Sequence, residues 1–508
     1  MALPHGRDDS VGRNAEPARR FGAEEALALR VAIVTSEAVP FAKSGGLADM
    51  VGSLAAALTR RGLDVTLVLP AYRCIVERTD VAATGMAFPV PAADGIERTE
   101  ILEGVAGKNT PAWFVRADRF FDRPGLYGQD GGDYEDNADR FAWFARAALA
   151  LLARLGPYDV LHGHDWQTGL AVAYLRLQPE RYPALASART LFTVHNVGYQ
   201  GLFDAGVFPS LQVDAAHYWP NFEFYGNVSY LKAGLTLADR LTTVSPTYAE
   251  EIGTPEQGYG LHGVFSERAD DLVGIMNGAD YAVWDPATDS FIARRYSAAD
   301  PAGKHDCKRD LQQRLGLPPA DAPLAGMVAR LVDQKGLDIL AGALDALLSR
   351  DLQIAVLGTG DPHHEQALSG FARRHPDRMA VRIGFDEALA HAVEAGSDLF
   401  LMPSRYEPSG LNQLYSLRYG TIPVVRATGG LKDSVKPFDE AAGEGTGFLF
   451  EDYASAALVQ AVDRALDCYR RPAAWRRLMA NAMAQDFSVD RTAAEYAALY
   501  ASLLDRAD

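Results

Sequence analysis

Residues 31–60 read VAIVTSEAVPFAKSGGLADMVGSLAAALTR, and this stretch decides the fold class. Residues 31–35 are a short β-branched run suited to a strand, a glycine-bearing loop follows, and residues 48–60 carry apolar side chains at helical spacing. A strand that passes through a loop into a helix opens a parallel α/β unit, because parallel neighbours need a crossover connection. The alternation continues through candidate strands at 65–69, 160–162, 191–195, 241–244 and 272–276, with helical stretches such as 138–155 between them. It restarts at 325–328 and runs through 354–357, 381–383, 399–402, 422–425 and 448–450. The expected class is therefore α/β, with two doubly wound domains. Ligands of such open sheets bind beyond the carboxyl ends of the strands, so two sheets facing each other make one deep cleft.

Expected boundaries follow from the same alternation. Residues 26–275 make the N-terminal domain and residues 276–485 the C-terminal one, with Asn277-Gly278 and Asp285-Pro286 marking a turn-rich hinge between the two series. Residues 486–508 make a final helix whose Tyr496, Leu499, Tyr500 and Leu503 form one apolar stripe. Residues 1–25 hold Arg7, Arg13, Arg19 and Arg20 among proline, glycine and acidic residues, lack the apolar core of a signal peptide, and read as a mobile tail.

The chain has 508 residues, 48% hydrophobic and 23% charged, which excludes collagen, coiled coil and wholesale disorder. Its 49 Lys and Arg against 66 Asp and Glu leave a net charge of -17, the wrong sign for nucleic acid or an anionic membrane. An anionic ligand must then meet a local positive site. Cys74, Cys307 and Cys468 are three in number and far apart, so neither a disulfide framework nor a zinc knuckle is expected. With no long apolar span either, the expectation is a protein of the reducing cytoplasm.

Lys43-Ser44-Gly45-Gly46-Leu47 joins the first strand to its helix. Helix N-termini offer unpaired N–H groups and a positive dipole end, glycine lets the backbone approach, and Lys43 adds a full charge. The loop fits an oxyanion cradle or a plain turn with a solvated lysine, and its local sequence does not separate the two. Arg330 and Lys335 stand on the equivalent loop after the first strand of the second series. A guanidinium fork and a compact ammonium together suit a diphosphate. Such a pair alone reads as a solvated face, and the mirrored loop at Lys43 turns the reading toward function. Arg405 to Asn412 follows the strand at 399–402, placing Glu407 before Pro408 and the amides of Gly410 and Leu411 at a helix entrance.

His162-Gly163-His164-Asp165-Trp166 and Thr193-Val194-His195-Asn196 end strands of the first series. Their spacing does not suit a metal, and neither H-E-x-x-H nor D-x-D occurs, so no metal is expected. No G-x-S-x-G elbow is present, against a serine hydrolase. Leu357-Gly358-Thr359-Gly360-Asp361 starts like a dinucleotide fingerprint but has His363 at the third glycine position, which favours a plain strand-to-helix turn.

Taken in order, Lys43 to Leu47, His164-Asp165-Trp166, Thr193 to Asn196, Asn277-Gly278, Arg330 to Gly336 and Glu407 to Leu411 resemble the bacterial glycogen synthase and plant starch synthase family, from about Val31 to Tyr500. The resemblance implies two facing Rossmann-like domains of the GT-B type, an acceptor side in the first and a nucleotide-sugar side in the second, and a last helix that crosses back. It implies retaining transfer of glucose from ADP-glucose to the non-reducing end of an α-1,4-glucan or glycogen, without a cofactor. By the same resemblance Glu407, Lys335, Arg330 and His195 are catalytic. Lys43, Gly46, Asn277, Phe385, Gly410 and Leu411 then bind ADP-glucose, with Phe385 flanking adenine. Family members often have Cys and Thr where this chain has Ser409 and Asn412, which touches fine positioning. A nucleotide-sugar epimerase on the same fold, a UDP-glucose-using transferase and a glucan-binding protein with a decayed site are the competing readings.

Overall fold

The computed structural model describes residues 28–505 except residue 130. The expected tail at 1–25 lies outside the described residues, as do residues 506–508. Two large sheets organise the described chain. The first has nine strands in the spatial order Leu272–Gly274, Arg240–Thr243, Arg189–Val194, Val160–His164, Arg30–Val34, Asp64–Pro70, Thr110–Arg116, Gly95–Ala106 and Ala82–Ala92. The second has six, in the order Met379–Ile383, Gln353–Gly360, Leu324–Leu331, Leu399–Met402, Ile422–Arg426 and Phe448–Phe450.

Counting its parallel strands along the chain, each sheet shows the order 3-2-1-4-5-6, the doubly wound arrangement, extended in the first sheet by one more strand. Strand composition explains the burial. Val31, Ala32, Ile33 and Val34 are all fully buried, as expected of a parallel strand covered by helices on both faces. Apolar clusters cover the second sheet as well, one built with Leu340, Leu344, Val462 and Leu478, another with Leu311, Val393 and Leu431.

Every expected strand is present. The structure adds one feature that the sequence reading lacks: Ala82–Ala92, Gly95–Ala106 and Thr110–Arg116 form an antiparallel extension, joined to the sheet where Thr110–Arg116 pairs in parallel with Asp64–Pro70. Exposed and buried residues alternate along much of these strands, the mark of a sheet with one solvated face rather than a continuous apolar run.

The chain passes between the sheets twice, side by side. The Ala279 N–H donates to Phe487 O at 2.8 Å, and the Val489 N–H donates to Ala279 O at 2.9 Å. A Cβ on Gly278 would lie 2.4 Å from Val489 Cα, so the Asn277-Gly278 turn needs glycine for this approach. Helix Val489–Asp505 then returns to the first sheet, where Val489, Ala493, Tyr496, Leu499, Tyr500 and Leu503 join its core beside helix Gly46–Arg60. None of the described helices is long and apolar enough to cross a membrane.

Candidate active site

Strand order fixes where the site lies. In a doubly wound sheet the crevice opens where strands 1 and 4 diverge, beyond their carboxyl ends. In the first sheet those strands are Arg30–Val34 and Val160–His164, leading to Lys43 and Asp165. In the second they are Leu324–Leu331 and Leu399–Met402, leading to Lys335 and Glu407.

On the first side a buried carboxylate shapes the glycine loop. Glu37, 3% exposed, accepts from Ser44 Oγ at 2.6 Å, from the Gly45 N–H at 3.3 Å, from Tyr127 Oη at 2.5 Å and from the Ser44 N–H. The loop thus reaches helix Gly46–Arg60 in a fixed shape, with Gly45 extended before it. Lys43 Nζ pairs with Asp49 Oδ1 at 2.7 Å. Burial raises the Asp49 carboxyl above its ordinary range, and the Lys43 charge opposes that shift.

Asp165 stands at φ 56, left-handed backbone that a non-glycine residue rarely adopts. Its Oδ1 accepts the His195 N–H at 2.7 Å and so ties the ends of two strands together. Burial pushes the Asp165 carboxyl up to about 7, although backbone donors from His195 and Asn196 favour its charged form. His195 Nε2 lies 3.0 Å from His164 Nδ1, and the His164 ring packs 4.0 Å from that of His162. Burial pulls His162 and His195 down to about 3, so these imidazoles are neutral near pH 7. As neutral rings they donate and accept single hydrogen bonds without adding charge.

On the second side Lys335 Nζ pairs with Glu407 Oε2 at 2.6 Å, and Ser404 Oγ donates to the same oxygen at 2.9 Å. Glu407 is 4% exposed. Behind it, Gly429 at φ 45 comes so close that a Cβ there would lie 2.0 Å from Glu407 O, and the Gly430 N–H donates to that carbonyl at 3.1 Å. Gly410, at φ 69, and Leu411 open helix Asn412–Tyr419, and neither amide has an acceptor among the described residues. Asn277 Oδ1 and Ser409 Oγ are buried polar atoms with no hydrogen-bond partner among the described residues. Arg330 Nη1 donates to Tyr199 Oη at 3.4 Å, and Phe385 is 78% exposed beside a cavity of about 540 Å³.

The two sides meet. Lys43 Nζ sits 6.0 Å from the centre of the Phe385 ring, and a Cβ on Gly46 would lie 3.6 Å from Leu411 Cδ1. Ser245 Oγ donates to Pro408 O at 2.6 Å, and Thr247 donates from its N–H and Oγ1 to Asp433 at 2.8 and 2.7 Å. The Thr428 hydroxyl and the Gly429 N–H both donate to Glu251 Oε1 at 3.0 Å. The structure thus joins Lys43 with Phe385, Gly46 with Leu411, Arg330 with Tyr199 and Lys335 with Glu407. It places His195 at the strand end tied by Asp165, and Asn277 at the crossing between the sheets.

Glu37 is absent from the sequence reading, Asp165 is read there only as a strand-end residue and not as the acceptor of the His195 N–H, and the pair Gly429-Gly430 is absent as well. The last had a legible signal, since Gly429-Gly430-Leu431 follows strand Ile422–Arg426 as Gly45-Gly46-Leu47 follows the first strand. The glycines of the dinucleotide-like stretch have a packing role: a Cβ on Gly358 would lie 2.0 Å from Ala329 O, and one on Gly360 would lie 2.5 Å from Leu331 O.

Comparison with known proteins adds independent findings. Residues 30–267 match the family described as Starch synthase catalytic domain, and residues 309–480 match Glycosyl transferases group 1. A glycogen synthase of Anaeromyxobacter dehalogenans (strain 2CP-C) is 50% identical over 479 residues, 94% of this chain and 100% of that protein. One of Koribacter versatilis is 44% identical over 93% of this chain and 98% of its own length. The catalytic domain of starch synthase IV from Arabidopsis thaliana, solved with ADP and acarbose, superposes with a TM-score of 0.87 at 35% identity, covering 94% of this chain and all of that one. With half its residues identical over nearly the full length, and with the facing doubly wound sheets of a GT-B glycosyltransferase, this chain belongs to the glycogen synthase and starch synthase family.

Proposed function

We propose that the protein transfers glucose from ADP-glucose to the non-reducing 4-hydroxyl of an α-1,4-glucan, releasing ADP and retaining the α configuration. The observation that carries this reading is the meeting of the 43–47 loop with strand-end loops of the second sheet, Lys43 over Phe385 and Gly46 against Leu411, together with the part-buried Lys335–Glu407 pair. The starch synthase that superposes on the chain holds ADP and acarbose, a nucleoside diphosphate and a sugar analogue, which suits this assignment of substrates.

In this reading Arg330 and Lys335 receive the diphosphate from one side and Lys43 with the Gly46 loop from the other. Charge neutralisation there promotes departure of ADP. The anomeric carbon then takes on oxocarbenium character, which the Glu407 carboxylate stabilises. Attack by the acceptor hydroxyl from the face the phosphate leaves retains configuration, and the departing phosphate takes the hydroxyl proton. His195 and Asn277 Oδ1 hydrogen-bond the donor sugar, Gly410 and Leu411 offer amides to phosphate oxygens, and Phe385 stacks on adenine. A cytoplasmic setting suits the three cysteines, all of them free thiols.

The test supplies labelled ADP-glucose and UDP-glucose in parallel with glycogen, and follows polymer label and nucleotide release. Label from ADP-glucose with stoichiometric ADP is the expected result. Label from UDP-glucose alone corrects the donor, and label from neither overturns the assignment.

A further inference from the structure

Four described non-glycine residues have positive φ, and two of them are tyrosines: Tyr225 at 48° and Tyr259 at 49°. Each precedes a glycine that is also left-handed, Gly226 at 85° and Gly260 at 83°. Two consecutive left-handed residues make a type I′ turn, whose first position is ordinarily Asn, Asp or Gly. A tyrosine there costs backbone energy, so its ring is retained against a local preference.

Both side chains are exposed, and the Tyr225 ring lies against the turn that carries Tyr259. Tyr225 is 77% exposed and Tyr259 is 42% exposed. A Cβ on Gly260 would lie 3.1 Å from Tyr225 Cε2 and 2.9 Å from Phe224 Cζ, so only glycine lets the first ring lie against the second turn. The Tyr259 ring is 5.7 Å from that of Tyr406, the residue before Glu407. Gln200 Nε2 donates to Tyr259 O at 2.8 Å and holds the turn in place. The series Tyr225, Tyr259, Tyr406 therefore leads from the outer surface of the first half to the carboxylate of the second.

We propose that Tyr225 and Tyr259 form a platform that holds an α-glucan at the mouth of the cleft, several units behind the end being extended. The choice of ligand rests on the transferase reading above. The chemistry fits: a glucose ring has an apolar C–H face that packs on an aromatic ring and a rim of hydroxyls that pair with phenolic oxygens. Rings fixed by their turns lose little entropy on binding, and a series of them suits a repeating ligand.

The experiment measures maltoheptaose binding to the full chain without donor, by calorimetry, for the wild type, Tyr225→Asn, Tyr259→Asn and Tyr225→Phe, together with thermal melts. Asparagine accepts the left-handed backbone, so both Asn variants keep or raise the melting temperature. Each weakens maltoheptaose about five- to tenfold, the scale of one lost ring contact. Tyr225→Phe keeps most of the binding. In turnover, KM for glycogen rises in the Asn variants and KM for ADP-glucose does not move. Wild-type affinity in both Asn variants, or no maltoheptaose binding by the wild type, overturns the platform. A wild type that binds maltoheptaose through these rings yet transfers no glucose upholds the platform and sinks the transferase reading, whereas normal transfer with unchanged Asn variants does the reverse.

Discussion

Lys335 Nζ lies 2.6 Å from Glu407 Oε2, and the two side chains are only 18% and 6% exposed. The ammonium assigned to the diphosphate is thus held by the carboxylate assigned to the anomeric centre, in a poorly solvated place. Removing one partner strands the other. Lys335→Ala is expected to lower turnover about 10²- to 10³-fold, the scale of losing one preorganised charged donor. It also leaves Glu407 with Ser404 as its side-chain partner. The double variant Lys335→Ala/Glu407→Gln should therefore unfold at a higher urea concentration than Lys335→Ala, though it is no more active. Near-normal turnover by Lys335→Ala would remove Lys335 from the chemistry.

Gly429 sets the position of Glu407 from behind. With φ 45 and only 2.0 Å between an added Cβ and the Glu407 carbonyl, Gly429→Ala must push the 407–409 segment toward the cleft. A displacement of about 1 Å at a reacting group costs about 10²-fold in rate. The variant is expected to keep its far-ultraviolet dichroism and lose kcat by about that factor. Retained kcat in a folded Gly429→Ala protein would show that the segment has room to move.

Most of the parallel strands were legible as short runs rich in apolar residues, such as residues 31–34, and burial on both faces favours that composition. The strands at 82–116 escaped because one face is wet, which replaces the run by an alternation that a search for buried strands passes over. In the site, Lys43, Arg330, Lys335 and Glu407 stood out as charges on strand-end loops. The Lys335–Glu407 pairing was not legible, since 72 residues separate the partners and the contact depends on two neighbouring strands ending at one height. Asp165 was visible as a residue but not as the acceptor of the His195 N–H, because that bond exists only once strands Val160–His164 and Arg189–Val194 are in register.

Asp165 also gives the protein a titration that stability measurements can follow. Burial moves its carboxyl from 3.8 to about 7. Between those values the folded chain holds a proton that the unfolded chain has lost, so this contribution is full below the lower value and disappears as pH rises through about 7. The buried His162 and His195, lowered from 6.5 to about 3, act in the opposite sense: the unfolded chain binds protons that the folded chain refuses, and stability rises with pH across that window. Asp165→Asn removes only the first contribution. Denaturation midpoints from pH about 5 to about 8 should show the variant gaining on the wild type up to pH about 7 and then running parallel to it. Parallel curves throughout would mean that Asp165 is already ionised at pH about 5.

The last helix reaches the histidine series of the site through the Tyr500 hydroxyl. Tyr500 Oη lies 2.8 Å from His162 Nδ1, His162 Nε2 lies 2.6 Å from Thr193 Oγ1, and the His162 ring packs on His164, which meets His195. Each of these groups is buried, so the hydrogen bonds at the two His162 nitrogens set its tautomer and hold its ring plane. Tyr500→Phe keeps the apolar packing in the core and leaves His162 Nδ1 buried without a partner, a loss of about 1 to 3 kcal/mol. If the histidine series transmits that change, kcat falls and KM for ADP-glucose shifts together with the stability, because His195 is reoriented. If Tyr500 serves packing alone, stability falls and both kinetic constants stay where they were. Steady-state kinetics at a temperature well below the melting point of the variant separate these outcomes, and the first is expected because His164 Nδ1 is the side-chain partner that His195 Nε2 has.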